Sequence, residues 1–180
     1  MEQTQAIIYS MSKYKVIIVR GAPGMGKSTI GELLRVSDFA GAVMDIDEFR
    51  AMVNCEEFKI HQNEYYYKAI DVISSLIREY LKKEIFPIFI TDVMSNTFLS
   101  YFLLKLENID YLVINLYSDF EKLKRRMSNR NHGFIDLEIA EKLNTQMKSA
   151  SSFNSVYIDT SQLTPKETLN LIKKHSIDDK

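Results

Sequence analysis

The feature that most constrains the fold is a glycine-rich run, GAPGMGKST, at residues 21–29. Gly21, Gly26, Lys27 and Ser28 fit the pattern GxxxxGK[ST], directly after a strand-like apolar run and before a segment of helical period. Glycines at such a turn let backbone N–H groups face phosphate oxygens, and the following helix N-terminus adds partial positive charge. The run therefore predicts a phosphate-binding turn between a strand and a helix.

Short, β-branched apolar runs alternate along the chain with longer segments of helical period. This alternation is typical of βαβ units and a parallel sheet covered on both faces. The predicted strands are 15–19, 41–45, 86–91, 111–117 and 155–159. We expect a three-layer α/β domain whose five-stranded parallel sheet has the order 2-3-1-4-5.

Predicted helices fill the gaps between these strands. They follow Lys27 and cover 64–83 and 135–148, where apolar residues recur at helical spacing. Two further helices are predicted from capping boxes, in which a Ser or Thr and a Glu three residues later satisfy each other's backbone N–H groups. The two pairs are Ser118 with Glu121 and Thr164 with Glu167.

The size and composition of the chain fit one domain. It has 180 residues, 46% of them apolar, and no Pro/Gly/Ser-rich linker divides it. We therefore expect a single domain over 1–180, with 1–14 as an N-terminal extension. A lone Cys55, the lack of a basic leader and the lack of a long apolar run favour a cytoplasmic location. The net charge of −1 counts against a non-specific nucleic-acid binder.

The glycine-rich run also predicts the chemistry of the bound phosphate. Lys27 is expected to reach the β- and γ-phosphates of a nucleotide, and the Ser28 hydroxyl to ligate Mg²⁺. No NKxD-like guanine-specificity element follows the later strands, which favours ATP over GTP. The predicted nucleotide-binding residues are Gly21, Ala22, Pro23, Gly24, Met25, Gly26, Lys27, Ser28 and Thr29.

Acidic residues end the second and third predicted strands, at the sheet edge that borders the ligand crevice of open α/β folds. Asp92 follows an apolar run and is predicted to hold Mg²⁺. Asp47 is predicted to be the general base that accepts the proton of an acceptor hydroxyl, and Arg50, one turn later, to bind the acceptor. The alternative for Asp45 and Asp47 is helix capping.

Basic residues are concentrated in FEKLKRRMSNRNHG. Guanidinium groups that arrive when a lid closes can stabilise the transferred phosphoryl group and exclude water. Arg126 and Arg130 are four apart and share a helix face, so we predict that they act in this way. The alternative is a solvated basic helix face, which suits Lys122 and Lys124.

Taken together, GAPGMGKST, DIDEFR, ITD and RRMSNR resemble the small P-loop kinases of the polynucleotide 5′-hydroxyl kinase and zeta-toxin type. The resemblance covers residues 15–160 and implies the P-loop kinase fold with a helical lid at about 120–135. In the polynucleotide kinases, the positions that match Asp47 and Arg50 are the general base and the contact to the acceptor's phosphate. The two lid arginines of that family match Arg126 and Arg130.

The expected function is that of an ATP-dependent kinase that phosphorylates an alcohol. The preferred acceptor is the 5′-hydroxyl of a polynucleotide or a nucleotide-like compound, and the alternative is a small molecule, as in zeta toxins and antibiotic phosphotransferases. A third hypothesis is a nucleotide-dependent switch ATPase. A nucleoside monophosphate kinase is disfavoured, because Asp47 would lie beside an anionic acceptor.

Three consecutive tyrosines, Tyr65, Tyr66 and Tyr67, could offer a stacking surface for a nucleobase. Consecutive residues cannot all face one way on a helix, so at least one of them packs elsewhere. Burial in the core is the alternative for each.

Overall fold

A computed structural model describes residues 12–37, 41–52, 62–128, 136–148 and 154–176. Five strands form one parallel sheet in the order β2-β3-β1-β4-β5. They are β1 (Val16–Gly21), β2 (Ala42–Asp45), β3 (Ile88–Asp92), β4 (Tyr111–Tyr117) and β5 (Ser155–Asp159). The predicted sheet and its strand order are confirmed.

Seven helices lie in the described part of the chain. They are α1 (Lys27–Arg35), α2 (Ile46–Ala51), α3 (Gln62–Lys82), α4 (Asn96–Lys105), α5 (Phe120–Ser128), α6 (Leu137–Lys148) and α7 (Pro165–Ser176). None of these helices has the length and apolar composition needed to cross a lipid bilayer.

Two apolar clusters cover the faces of the sheet, which gives the three predicted layers. One face packs against α1, α5, α6 and α7 through side chains that include Leu34, Leu123, Ala140 and Ile172. The other face packs against α2, α3 and α4 through Ile46, Ile73, Ile77, Leu99 and Phe102. Because both faces are covered, β1 and β3 are buried along their whole length.

The strand register brings three polar residues to one point in the sheet. Arg20 on β1 is paired with Asp92 on β3 and with Asn115 on β4. All strands run the same way, so the ends of β2 and β3 and the turn after β1 meet at one edge. Asp92 is the last residue of β3 rather than the residue after it.

One predicted capping box is confirmed and the other is wrong by one residue. The Thr164 backbone N–H donates to Glu167 at 2.8 Å, and the Glu167 N–H donates to the Thr164 hydroxyl at 3.3 Å. At α5 the cap is Asp119, whose carboxylate accepts from the Lys122 N–H at 2.7 Å. Ser118 does not cap this helix because its backbone N–H and carbonyl are both bonded to the Asn144 side chain, at 3.0 and 2.8 Å.

The sequence analysis did not predict α4. Its residues, NTFLSYFLLK, are apolar on most sides and lack a clear 3.6-residue period. The Ser95 hydroxyl caps this helix by accepting from the Phe98 N–H at 3.4 Å. The helix packs against α3, so both help to form the wall beside the end of β3.

Candidate active site

The turn between β1 and α1 is shaped for the close approach of an anion. A Cβ at Gly21 would lie 2.8 Å from the Leu116 carbonyl oxygen, a distance that excludes any side chain. Gly26 has φ 83°, in the left-handed region, and no side chain caps the N-terminus of α1 within the described residues. The first N–H groups of α1 can therefore bind an external acceptor.

A cleft of about 340 Å³ lies over this turn. Its lining includes two glycines and the hydroxyl residues of the turn together with side chains from β2, α2, β3 and α5: Pro23, Gly24, Gly26, Lys27, Ser28, Thr29, Asp45, Asp47, Asp92, Val93 and Arg126. The Lys27 ammonium group lies against the loop and donates to the carbonyls of Gly21 and Ala22, at 2.9 and 3.1 Å. We call this space the phosphate cleft.

Asp92 lies at the base of the phosphate cleft and is only 2% exposed. Its Oδ2 atom has no hydrogen-bond partner among the described residues. Burial, and then the charge of Asp47, raise the pKa of Asp92 to about 7, although the Val93 and Met94 N–H groups and Lys27 act against the shift. A buried carboxylate oxygen without a partner is suited to a cation.

The two acidic residues after β2 have different positions. The Asp45 carboxylate accepts from the Asp47 N–H at 2.9 Å and from the Thr91 hydroxyl at 3.0 Å, so it caps α2 and joins β2 to β3. The capping alternative is thus confirmed for Asp45. The Asp47 side chain is 61% exposed and accepts from Arg50 Nη1 at 3.0 Å.

A second cleft, of about 490 Å³, begins at Asp47. We call it the acceptor cleft. It shares Pro23, Asp47, Asp92 and Val93 with the phosphate cleft. Its other lining residues come from the strand β3 exit and from helices α2, α3, α4 and α6: Arg50, Asn63, Tyr66, Met94, Ser95, Phe98, Ile139 and Leu143.

The three consecutive tyrosines have separate surroundings. Tyr66 lines the acceptor cleft, whereas the Tyr67 ring packs edge-on against Phe98 and Tyr101. The Lys68 ammonium group lies over the Tyr65 ring, with Nζ 4.7 Å from the ring centroid. Of the three, only Tyr66 faces either of the two clefts in the described part of the chain.

Of the two predicted lid arginines, Arg126 lies on α5 and lines the phosphate cleft. Its guanidinium donates to the Thr160 hydroxyl at 2.9 Å and to the Thr160 carbonyl at 2.7 Å. Partial burial lowers the pKa of Arg126, but a guanidinium stays charged at neutral pH. Arg130 and the rest of the predicted lid beyond α5, up to 135, lie outside the described residues.

Sequence analysis missed Arg20, which is 1% exposed beneath the site. Its Nε donates to the Asn115 side-chain oxygen at 2.6 Å, and its Nη1 donates to the Met94 carbonyl at 3.2 Å. Burial lowers the pKa of Arg20 to about 10. Arg20 thereby fixes the chain after β3, and the only signal for it in the sequence is a charge within an otherwise apolar strand.

The phosphate cleft fits a magnesium nucleotide. The glycine turn leaves space for phosphate oxygens, and the side chains of Ser28 and Asp92 are oxygen donors of the kind that Mg²⁺ prefers. The buried Asp92 oxygen without a partner supports this fit independently of the motif.

Comparison with solved structures identifies the fold. A sugar kinase from Janibacter sp. HTCC2649 superposes with a TM-score of 0.64 and 16% identity, covering 88% of this chain and 91% of the other. The tunicamycin resistance protein of Deinococcus radiodurans gives a TM-score of 0.63, with 12% identity and 91% and 95% coverage. A gluconokinase from Sinorhizobium meliloti 1021 gives 0.62, with 14% identity and 89% and 93% coverage. The fold is that of the small P-loop kinases.

No protein-family model and no curated protein matches the chain by sequence. At identities this low the likeness to solved structures concerns the fold alone. The predicted resemblance is therefore confirmed for the small P-loop kinase fold, and the polynucleotide kinase and zeta-toxin type stays a prediction.

Proposed function

We propose that the protein is an ATP-dependent kinase that transfers the γ-phosphate to a hydroxyl group of a small organic molecule. The observation that carries the proposal is the position of Asp47, which lines both the phosphate cleft and the acceptor cleft. A carboxylate between two clefts can contact an acceptor hydroxyl on one side while the γ-phosphate lies on the other.

In the proposed reaction, the acceptor oxygen forms a bond to the γ-phosphorus and the bond from that phosphorus to the β,γ-bridging oxygen breaks. The hydroxyl proton passes to the Asp47 carboxylate, and ADP leaves. Asp47 is suited to this step because its side chain is exposed to the cleft and keeps one oxygen beyond the one that accepts from Arg50.

The other charged residues of the phosphate cleft have proposed roles in holding the nucleotide. The Lys27 ammonium group would turn from the loop carbonyls to the β- and γ-phosphates, and Arg126 would turn from Thr160 to the transferred group. Ser28 and Asp92 would hold Mg²⁺, which when bound neutralises charge on the phosphate oxygens.

A small molecule is favoured over a polynucleotide end by the lining of the acceptor cleft. Arg50 is the one cation among its described lining residues, and it already donates to the Asp47 carboxylate. A polynucleotide brings several phosphates, which proteins bind with several cations. Names of the structural neighbours, among them a gluconokinase and a sugar kinase, are consistent with a small hydroxyl-bearing acceptor.

The proposal is tested by incubating the protein with γ-labelled ATP and Mg²⁺ against a panel of acceptors. The panel contains 5′-hydroxyl oligonucleotides, nucleosides, nucleoside monophosphates, sugars, sugar acids and hydroxylated antibiotics. Label in a small-molecule ester supports the proposal, and label in the oligonucleotides would return the acceptor to the polynucleotide class. If inorganic phosphate is the only labelled product and forms at the same rate without an acceptor, the switch ATPase is favoured instead.

A further inference from the structure

The acceptor cleft has an apolar wall. Tyr66 on α3 and Phe98 on α4 pack with ring centroids 4.1 Å apart, and Met94 lies beside them at the end of β3. Ile139 and Leu143, one turn apart on α6, line the cleft as well. Such a wall offers apolar contact area to a ring of a bound molecule.

One polar atom in this wall lacks a partner. Tyr66 is only 7% exposed, and its hydroxyl has no hydrogen-bond partner among the described residues. Buried hydroxyls in proteins nearly always have a hydrogen-bond partner, because a buried hydroxyl without one has lost its hydrogen bonds to water and gained none in return. The hydroxyl is enclosed in the unliganded protein, but Tyr66 lines the acceptor cleft, so a small shift of its ring on ligand binding would let the ligand supply the missing partner.

The charge around the cleft limits the ligand further. The Arg50 guanidinium donates to Asp47 at 3.0 Å, and its central carbon lies 5.1 Å from the Tyr66 ring centroid. Among the described lining residues of the cleft, Arg50 is the only cation, and Asp47 and Asp92 are the acidic residues. An anionic acceptor would therefore compete with the Asp47 carboxylate for Arg50 and would lie close to that like charge.

We infer that the acceptor is an uncharged alcohol that carries an apolar ring, and that the Tyr66 hydroxyl forms a hydrogen bond with it. The ring packs along Tyr66, Phe98 and the α6 side chains, and the reactive hydroxyl lies toward Asp47. The cleft volume of about 490 Å³ suits a molecule of drug-like size. This inference rests on the proposed kinase function and specifies its acceptor class.

The test compares three probes that differ in ring and charge: phenyl β-D-glucoside, methyl β-D-glucoside and gluconate. Binding is measured by ligand-observed NMR in the presence of Mg²⁺ and a non-hydrolysable ATP analogue. We expect phenyl glucoside to bind about tenfold more tightly than methyl glucoside, because burial of a phenyl ring contributes at least that much, and gluconate to bind most weakly. Equal affinities of the two glucosides, or tighter binding of gluconate, would overturn the inference.

Variants assign the preference to the cleft. Tyr66→Phe removes only the hydroxyl and should weaken phenyl glucoside binding about fivefold, the effect of one neutral hydrogen bond. The matched control is Tyr101→Phe, since the Tyr101 hydroxyl donates to Asp71 at 2.8 Å outside the cleft. We expect the control to bind the probe as the wild type does. Unchanged affinity in Tyr66→Phe would contradict the role of that hydroxyl.

Two more measurements separate binding from folding and from catalysis. Tyr66→Phe should keep or raise the melting temperature, because it deletes a buried hydroxyl that lacks a partner in the unliganded protein. Ile139→Asp, at a side chain already 45% exposed, should fold normally and lose the preference for the phenyl ring. If γ-label instead moves to gluconate, the kinase function stands and the inference fails. If the phenyl preference holds while no acceptor is phosphorylated, the kinase function fails.

Discussion

The phosphate cleft and the acceptor cleft share Asp47 and Asp92 but are built in different ways. In the phosphate cleft, the groups that would hold the phosphates belong mainly to one continuous turn, whose backbone N–H groups and Lys27 need no distant partner to be near each other. The acceptor cleft consists of side chains from four helices that are far apart in sequence. A short motif can therefore fix the phosphate donor, whereas the acceptor depends on how the helices pack.

Because the two clefts are built differently, we expect substitutions in each of them to have different effects on the reaction. Changes in the phosphate cleft should affect the reaction with every acceptor alike. Changes in the wall of the acceptor cleft should alter which acceptor is used. Asp47, at the junction, should affect the chemical step itself.

The largest expected effect is that of Asp47→Asn. Loss of the base should lower kcat by about 10²–10⁴-fold, the usual contribution of general base catalysis, with little change in the affinity for ATP. Steady-state kinetics with the best acceptor measure this. The control is Glu48→Gln, because Glu48 is paired with Arg35 at 2.9 Å and lines neither cleft. Full turnover by Asp47→Asn would remove Asp47 from its proposed role.

Lys27→Met tests the phosphate side. Removal of a positioned cation should lower kcat/KM for ATP by about 10²–10³-fold, and by the same factor with every acceptor. Lys166→Met, an exposed position on α7, provides the control. An effect that varied strongly between acceptors would contradict the separation of the two clefts.

The free energy of unfolding of the metal-free protein should depend on pH because Asp92 is buried. Its pKa is about 7 in the folded protein and near 3.9 in the unfolded chain, so the folded state binds more protons between these values. The free energy of unfolding should therefore fall by roughly 2–4 kcal/mol as the pH rises from about 4 to 7, at about 1.4 kcal/mol per pKa unit.

Denaturant unfolding in EDTA measures this dependence. Asp92→Asn should match the wild type near pH 4 and exceed its stability at pH 8, because the variant has no buried charge to form. Equal stability of the two proteins at pH 8 would show that burial of the Asp92 charge has no net cost.

The smallest expected effect is that of Arg126→Ala, which should lower kcat about tenfold to a hundredfold. Removal of a single donor to the transition-state charge usually lowers kcat by about 10²–10³-fold. We expect a smaller loss here because Arg130 is predicted to contact the transferred phosphoryl group as well. Arg125→Ala is the matched control, since Arg125 is exposed on the same helix and lines neither cleft. A change only in the KM for the acceptor would show that Arg126 acts in the acceptor cleft rather than in the phosphate cleft.

The sheet and the phosphate-binding shape of the turn after β1 can be predicted from the sequence for physical reasons. Gly21, Gly26 and Lys27 act through local backbone geometry, and the alternation of strands and helices fixes the parallel sheet. The capping box at Thr164 is equally local, since both of its partners lie within one turn.

Three features that depend on individual side-chain contacts between distant residues were not predicted. The Asn144 side chain occupies the backbone of Ser118 from 26 residues away, so the cap of α5 moves to Asp119. Likewise, Tyr66 and Tyr67 both pack against Phe98 of α4, and it takes the packed helices to show that Tyr66 is the one that lines the acceptor cleft in the described part of the chain. The buried Arg20 depends on partners from β4 and from the chain after β3.

The most direct test of the account is the ratio of phosphoester formed to ADP formed, measured by ³¹P NMR with the best acceptor of the panel. We expect a ratio near one, and we expect both products to decrease together in Asp47→Asn. Formation of ADP at the same rate with and without acceptor, with inorganic phosphate as the only other product, would contradict phosphoryl transfer between the two clefts.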